Sequence, residues 1–195
     1  MKTRYLLVGA MLLSLCCFMS CNKDEDLFSR DEIQRFLFNM KDDYYGTVEV
    51  ICRKDSLTLD TLKTVARSRD SLMFIMPLEP IAKMVSDKSV AQRLCDIGEI
   101  TVTAGYEFLN ATGETYTNFR LYPEDAIIYG GLGAPPTIRI VFSSLYDGRY
   151  EYYNQKNYIS FNIAPAELWV NGEKYETFQV PYADKIVYHF EGETK

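Results

Sequence analysis

The sequence predicts a mainly β fold: an antiparallel β-sandwich or open barrel of about nine or ten strands, with an N-terminal helix and a short helical insertion. Hydrophobic and polar residues alternate with a period of two over most of the chain after residue 45, as in strands that bury one face. Turn dipeptides such as Asn171-Gly172 separate these runs. The repeated strand-helix order that builds a parallel sheet is absent. Of the 195 residues 47% are hydrophobic, and 15 Tyr and 11 Phe supply enough apolar area for a packed core.

The first 20 residues predict a secretory signal peptide. Lys2 and Arg4 give it a positive start. The apolar run 6–18 has 13 residues, fewer than the roughly 20 that a membrane-spanning helix needs. A retained N-terminal membrane helix is the alternative.

The end of this segment resembles a bacterial lipobox, in which a small residue precedes a cysteine that becomes acylated. The run reads Phe18-Met19-Ser20-Cys21. The resemblance implies that Cys21 carries lipid and becomes the mature N-terminus, so that acyl chains hold the protein to a membrane. Residues 21–28 then form an acidic tether.

The tether places a lysine directly before three acidic residues: Lys23, Asp24, Glu25 and Asp26. This run resembles the export signal of Bacteroidetes lipoproteins and implies an outer-membrane lipoprotein displayed on the cell surface. The alternative is an ordinary solvated tether, which would leave the protein on the periplasmic face of the outer membrane.

A single β-rich domain is predicted for residues 29–195, and it begins with a helix over about 30–41. Ser29 and Glu32 match a capping box, and Phe28 with Ile33 matches a hydrophobic staple. The apolar residues of the helix recur at helical spacing. Such a stripe indicates that the helix packs on the domain rather than projecting from it.

Strands are predicted next at 47–53, 57–65 and 72–76. A short helix over 81–85 follows the prolines at 77 and 80, and Asp87 suits the N-cap of another helix running through Cys95. The later strands are predicted at 102–108, 116–121, 138–145, 150–153, 159–163, 168–170, 174–178 and 186–190. Asp147-Gly148 predicts a hairpin between 138–145 and 150–153, and Asn171-Gly172 predicts one between 168–170 and 174–178.

Four features together resemble the small uncharacterised lipoproteins of Bacteroidales, in particular the family domain of unknown function 4840. They are Cys21 with its acidic tail, the helix running into Tyr44-Tyr45-Gly46, the Met76-Pro77-Leu78 step into a helix, and the tyrosine-rich C-terminal strands. The resemblance covers nearly all of the mature chain. It implies no activity, because none is known for that family.

Charge and composition exclude several classes of function. The net charge is −6 and the pI is about 4.9, so the chain has no basic surface for nucleic acid. His189 is the sole histidine, and its place on the polar face of the last strand predicts a solvent-facing residue rather than a general base. The sequence predicts no catalytic constellation, no cofactor and no metal site.

Cysteine use leaves two alternatives. After processing, Cys52 and Cys95 are the cysteines besides Cys21. An oxidising envelope would allow a Cys52–Cys95 disulfide. Their apolar neighbours favour two buried thiols instead, because sequence spacing says nothing about geometry.

The chain holds more aromatic residues than one core stripe needs. Those predicted to face a ligand are Tyr150, Tyr152, Tyr153, Tyr158 and Trp169. Tyr152 and Tyr153 are neighbours, so their side chains are expected on opposite faces of a strand. Flat amphipathic rings suit sugar faces or a protein partner. The alternative is that the rings pair across strands on the wet face of a sheet.

A modification pattern recurs three times, at Ser56, Thr61 and Ser71, each of which lies between an aspartate and a leucine. The pattern resembles the O-glycosylation sequon of Bacteroidetes. The alternative is turn formation, which aspartate followed by serine favours.

The sequence thus predicts a non-catalytic cell-surface lipoprotein that binds a glycan or a protein partner. One alternative is a lipocalin-like carrier with a small apolar ligand inside an open barrel. The other is an envelope enzyme that acts on polysaccharide. A filled interior would count against the carrier, and two acids converging in a cleft would count for the enzyme.

Overall fold

The computed structural model describes residues 28–52, 56–67, 71–111, 115–130, 136–144, 146–180 and 183–195, and for 56–67, 110–111, 180 and 183–184 it describes the backbone alone. The fold is mostly antiparallel β with three helices in this part of the chain, which confirms the predicted class. The strands are β1 (Tyr44–Cys52), β2 (Ser56–Arg67), β3 (Ser71–Pro77), β4 (Glu99–Ala111), β5 (Tyr116–Pro123), β6 (Ala126–Ile128), β7 (Ile138–Phe142), β8 (Asp147–Tyr153), β9 (Lys156–Ile163), β10 (Pro165–Val170), β11 (Glu173–Thr177), β12 (Gln179–Val180), β13 (Ala183–Asp184) and β14 (Ile186–Glu193).

Eight strands form a barrel in the order β1-β14-β9-β8-β5-β4-β3-β2. Seven of them make one curled antiparallel sheet, and β2 closes the ring by pairing with β3 on one side and β1 on the other. The barrel has two distinct ends. The start of β1, the end of β14 and the β8–β9 turn lie at the first end, and the opposite termini of these strands lie at the second.

Helix α1 (Arg30–Asn39) packs at the first end, which we call the α1 end. The predicted capping box fixes its start: the Glu32 amide donates to Ser29 Oγ at 3.3 Å, and the Ser29 amide donates to Glu32 Oε2 at 2.8 Å. The Phe36 ring is buried and lies 6.0 Å from Phe28 and 5.5 Å from Phe108 of β4. These aromatic contacts hold α1 against the barrel.

The second end is covered by two helices and a second sheet, and we call it the covered end. Helices α2 (Glu79–Ala82) and α3 (Lys88–Ile97) form the predicted insertion between β3 and β4. Asp87 caps α3 as predicted, because its Oδ1 accepts from the amides of Ser89 and Val90 at 2.7 and 3.1 Å. The second sheet has four strands in the order β11-β10-β7-β6, and β12 pairs with β13 beside it.

The barrel interior is filled by the inward-facing side chains of alternate strand positions. Phe74, Phe161 and Phe190 are almost fully buried, with ring centroids 4.9 to 5.2 Å apart. Tyr188 is also buried, and its hydroxyl donates to the Pro77 carbonyl oxygen at 2.9 Å. Among the described side chains, this packing makes the interior a core rather than an open lumen.

The predicted hairpin at Asp147-Gly148 is wrong. Both residues lie inside β8, which pairs with β5 and β9, while β7 pairs with β6 and β10 in the second sheet. Gly148 is needed for packing: an added Cβ would lie 2.3 Å from the Phe119 ring. The glycine therefore makes room for an aromatic side chain instead of forming a turn.

The predicted turn at Asn171-Gly172 is confirmed. It joins β10 to β11, and both residues have positive φ, 53° and 87°, as a type I′ hairpin requires. A second two-residue turn joins β8 to β9 at Asn154-Gln155, with φ of 51° and 64°. The sequence did not predict it, because glycine is missing from the pair.

Candidate functional site

A groove of about 310 Å³ crosses the outer face of the barrel near the α1 end. We call it the tyrosine groove, because Tyr45 and Tyr158 line it together with several polar and charged side chains. These are Thr47, Arg149, Ser160, Glu191 and Glu193, with Gly46 and Gly192 among the lining residues. The lining of the groove therefore combines aromatic rings with hydrogen-bond donors and acceptors.

Strand register explains why these side chains meet. Tyr45 of β1, Glu193 of β14 and Tyr158 of β9 are direct neighbours across three strands. The next outward-facing row contains Thr47, Glu191, Ser160 and Arg149. Side chains in such rows lie within about 5 Å of one another at the Cβ atoms, so the two rows form one continuous surface.

Two glycines allow β1 and β14 to run close together beneath the groove. Gly46 pairs with Gly192. A Cβ at Gly46 would lie 1.8 Å from the Glu191 carbonyl oxygen, and a Cβ at Gly192 would lie 3.1 Å from Tyr44 Cβ. Only glycine fits at residue 46, because the obstructing atoms belong to the neighbouring backbone.

Glu193 carries a negative charge between the two tyrosines. The hydrogen bond from the Lys156 ammonium lowers the pKa of Glu193, and the Tyr158 hydroxyl lowers it further. The same ion pair raises the pKa of Lys156. Lys195 Nζ lies 4.1 Å from the centroid of the Tyr45 ring, which places a cation against one of the two aromatic rings.

A second cleft, of about 420 Å³, lies between the C-terminal end of α1 and the β8–β9 turn. We call it the helix-end cleft. Its lining consists of Phe38, Asn39, Lys41, Asp42, Tyr150, Tyr152 and Asn157. The Tyr150 hydroxyl donates to Asn157 Oδ1 at 2.8 Å, and burial raises the pKa of Tyr150 to about 12.

The structure separates the aromatic residues that the sequence grouped together. Tyr150 faces the barrel interior from β8 and is fully buried, so it is not an exposed ring, although it borders the helix-end cleft. Tyr152 and Tyr153 are 45% and 60% exposed near the β8–β9 turn. Tyr158 lines the tyrosine groove.

Trp169 lies on the second sheet, apart from these tyrosines. Its ring contacts two cations, with Arg139 Cζ at 4.9 Å and Lys174 Nζ at 5.6 Å from the centroid. Its Nε1 donates to Glu167 Oε2 at 2.7 Å. The indole is therefore held in a cross-strand cluster of charged residues.

Cys52 and Cys95 are not joined by a disulfide, and their environments differ. Cys52 is half-buried at the end of β1, whereas Cys95 is exposed on α3. The predicted burial is wrong for Cys95, because the buried face of α3 is formed by Val90 and Leu94. The disulfide alternative is not formed in this structure.

The sole histidine lies on the outer face of β14, as its alternation with buried neighbours predicts. His189 Nδ1 is 2.7 Å from Asn162 Oδ1, and Nε2 is 3.1 Å from Glu191 Oε1. Among the described residues, no group of three or more His, Cys, Asp or Glu side chains comes together to hold a metal ion.

Several predicted residues lie outside what the structure describes. These are Cys21 and the export run Lys23, Asp24, Glu25 and Asp26, and the side chains of Ser56 and Thr61. Ser71 is described: it opens β3 and is half-buried. Lipidation, export and O-glycosylation stay predictions.

Most residues of the tyrosine groove were not predicted from the sequence. Tyr158 was predicted to face a ligand, but Arg149, Glu191 and Glu193 were not. The available signal was the outward phase of alternation in the last strand, where Glu191 and Glu193 follow the buried Phe190. This alternation alone does not identify the groove, because the strands that flank β14 are distant in sequence.

Comparison of the chain with protein-family models, curated proteins and solved structures returned no match. The resemblance to domain of unknown function 4840 therefore stays a prediction. No helix within the described residues is long and apolar enough to cross a membrane.

Proposed function

We propose that this protein is a lipid-anchored, non-catalytic protein of the bacterial cell surface that binds a glycan in the tyrosine groove. One observation carries the binding proposal: Tyr45 and Tyr158 flank the Glu193 carboxylate on the outer face of the barrel. Aromatic rings offer flat apolar area for a sugar face. Carboxylate, guanidinium and hydroxyl groups beside them can bind sugar hydroxyls in either direction.

The size of the groove supports a small ligand. Its volume of about 310 Å³ is at the lower end of the range of roughly 300 to 1,000 Å³ for small-molecule sites. Arg149 supplies donors, Glu191 supplies acceptors, and Thr47 and Ser160 supply both. This mixture suits a neutral polyhydroxylated ligand better than an apolar one.

The anchor proposal is supported by the sequence at the start of the mature chain. The lipobox-like residues end at Cys21, and the described fold starts at Phe28, only seven residues later. The acidic run after Lys23 supports export to the cell surface, and the periplasmic face of the outer membrane is the alternative.

Labelling with radioactive palmitate tests the anchor. The wild-type chain should incorporate label and partition into detergent, the Cys21→Ala variant should do neither, and the matched Cys52→Ala variant should behave like wild type. Protease treatment of intact cells tests display, which should be lost when Asp24, Glu25 and Asp26 are replaced by alanine. An unlabelled wild-type chain would overturn the anchor.

A glycan array followed by calorimetry tests the groove, using the soluble chain that starts at residue 22. Tyr158→Ala should weaken binding at least tenfold, equivalent to about 1.4 kcal/mol, because it removes the stacking ring. Tyr158→Phe should retain most of the affinity. Tyr129→Ala is the matched control, because Tyr129 is an aromatic residue, 74% exposed, outside the groove. Equal affinity of Tyr158→Ala and wild type would exclude this site.

An envelope enzyme acting on polysaccharide is the second candidate, because Glu191 and Glu193 line the same groove. Retaining and inverting glycosidases need two carboxyl groups on opposite sides of the scissile bond, one with a raised pKa. Here both acids lie on β14, and the Lys156 ammonium lowers the pKa of Glu193 instead of raising it. Binding without hydrolysis is therefore better supported. Release of reducing sugar that Glu193→Gln abolishes would reverse this choice.

The carrier alternative has less support. The aromatic side chains of Phe74, Phe161 and Phe190 occupy the barrel interior, and the two clefts described above open to the surface. A protein partner in the tyrosine groove would be detected by pull-down with the same Tyr158 variants.

A further inference from the structure

The α1 end of the barrel presents three aromatic side chains to solvent. Phe38 is 78% exposed, Tyr153 is 60% exposed and Tyr152 is 45% exposed. Phe38 and Tyr152 line the same helix-end cleft, and Tyr153 follows Tyr152 at the β8–β9 turn. Three large exposed rings near one end of the barrel indicate a partner, because exposed rings on monomeric proteins are usually scattered singly.

Phe38 points away from the core because of helical geometry. Phe36 and Met40 of the same segment are fully buried against the barrel. Residues two apart on a helix face nearly opposite directions, so Phe38 projects outward from the α1 end. The exposure of Phe38 therefore follows from its position on the helix face opposite to Phe36 and Met40.

The tether ends at this same surface. Phe28, the first described residue, packs 6.0 Å from Phe36 and 6.1 Å from Phe108, measured between ring centroids. The seven residues from Cys21 to Phe28 can span at most about 25 Å even when fully extended. An eight-residue strand is about 26 Å long. Because the tether is no longer than the barrel and joins it at the α1 end, a lipid on Cys21 favours the α1 end over the covered end as the side next to the bilayer.

We propose that the α1 end docks on the lipid bilayer that holds the anchor, with Phe38, Tyr152 and Tyr153 in the headgroup region. This inference rests on the proposed lipidation of Cys21. Tyrosine is favoured at the membrane interface because its apolar ring carries a polar hydroxyl, and phenylalanine buries its apolar ring there. The ionised side chains at the cleft, Lys41 and Asp42, have opposite signs. Docking should therefore depend on the rings and vary little with the fraction of anionic lipid.

Tryptophan fluorescence in vesicles tests this orientation. The full lipidated chain is reconstituted in phosphatidylethanolamine and phosphatidylglycerol vesicles with brominated or ordinary acyl chains. The native Trp169 lies on the second sheet at the covered end, so its emission should not be quenched by bromine. Phe38→Trp should add a blue-shifted emission that brominated lipid quenches. The matched control Tyr129→Trp, also at a highly exposed position, should add an unquenched emission.

Flotation of the vesicles separates this inference from the proposal on which it rests. If the wild-type chain does not float with the vesicles, the anchor proposal fails and the docking falls with it. If the chain floats but Phe38→Trp is unquenched, the anchor stands and the docking is wrong. Quenching of Tyr129→Trp instead would reverse the orientation. A Phe38→Lys, Tyr153→Lys variant should still float but lose protection of the α1 amides that vesicles give to the wild type.

Discussion

The two ends of the barrel differ in how they are covered. At the covered end, α2, α3 and the four-stranded sheet contribute fully buried side chains such as Ile81, Leu94 and Ile140. At the α1 end, a single helix packs through Phe36 and Met40 and leaves the helix-end cleft open beside it. The multilayered cover and the accessible aromatic surface therefore lie at opposite ends of the barrel.

The physical reason is the amount of apolar area at each end. Several layers at the covered end bury side chains deeply, and the Tyr188 hydroxyl there donates to the Pro77 carbonyl oxygen. One amphipathic helix cannot cover the α1 end completely. The tyrosine groove and the helix-end cleft lie near α1, and we expect ligand contact there and stability at the other end.

The largest expected effect comes from the covered end. Leu94→Ala should lower the free energy of unfolding by about 2–5 kcal/mol, because Leu94 is fully buried between α3 and the core. Phe38→Ala at the α1 end should change it by less than about 0.5 kcal/mol. Urea unfolding measures both. Similar losses would contradict the proposed division between the two ends.

Phe36→Ala should act locally. We expect a loss of about 1–3 kcal/mol, short of the roughly 3–5 that an enclosed phenylalanine usually costs, because α1 can detach while the barrel persists. Hydrogen exchange should accelerate for the amides of 30–39 and stay unchanged for β14 and β9. Simultaneous acceleration in the barrel strands would mean that α1 belongs to the same cooperative unit.

Two buried tyrosine hydroxyls allow a matched comparison of the ends. Tyr188→Phe should cost about 1–2 kcal/mol, because it leaves the Pro77 carbonyl oxygen without its donor in a buried place. Tyr150→Phe should cost less, because its partner Asn157 lines the helix-end cleft, where water can replace the hydroxyl. Thermal unfolding of both variants checks the order, and the reverse order would contradict it.

The smallest effect is a pH dependence at Asp87. Hydrogen bonds from the Ser89 and Tyr175 hydroxyls and from backbone amides lower the pKa of Asp87 below its ordinary value of 3.8. A lowered folded-state pKa gives stability that is present above the ordinary value and is lost as pH falls through the folded value. Asp87→Asn keeps a capping side chain, so wild type should melt higher at pH 7 and lose this advantage as pH falls below about 4. A difference that is constant down to pH 2 would contradict the assignment.

Local signals in the sequence were sufficient for the elements that depend on near neighbours. The capping box of Ser29 and Glu32, the cap at Asp87 and the Asn171-Gly172 turn are confirmed because each interaction spans three residues or fewer. The prediction at Asp147-Gly148 failed because the same type of dipeptide lies where β8 passes Phe119, which is distant in sequence. The missing Cβ at Gly148 serves packing there.

The candidate site depended on contacts that no local pattern contains. Tyr45, Tyr158 and Glu193 come from three strands and meet only through the pairing of β1 with β14 and of β14 with β9. The aromatic excess indicated that some rings would be exposed, but not that Tyr150 would be buried while Tyr152 and Tyr153 would not. Strand alternation turns Tyr150 into the barrel, whereas Tyr152 and Tyr153 are the last residues of β8, beside the β8–β9 turn.

Local sequence signals were enough for the mainly β class, for the helix caps at Ser29 and Asp87 and for the alternation of buried and exposed positions. These follow from hydrogen bonds and side-chain periods within a few residues. Long-range contacts were needed to define which strands share a sheet, which aromatic rings line the tyrosine groove and which end of the barrel α1 packs against. These depend on pairing between segments far apart in the chain, and period-two strands are equally compatible with many partners until the whole core is packed.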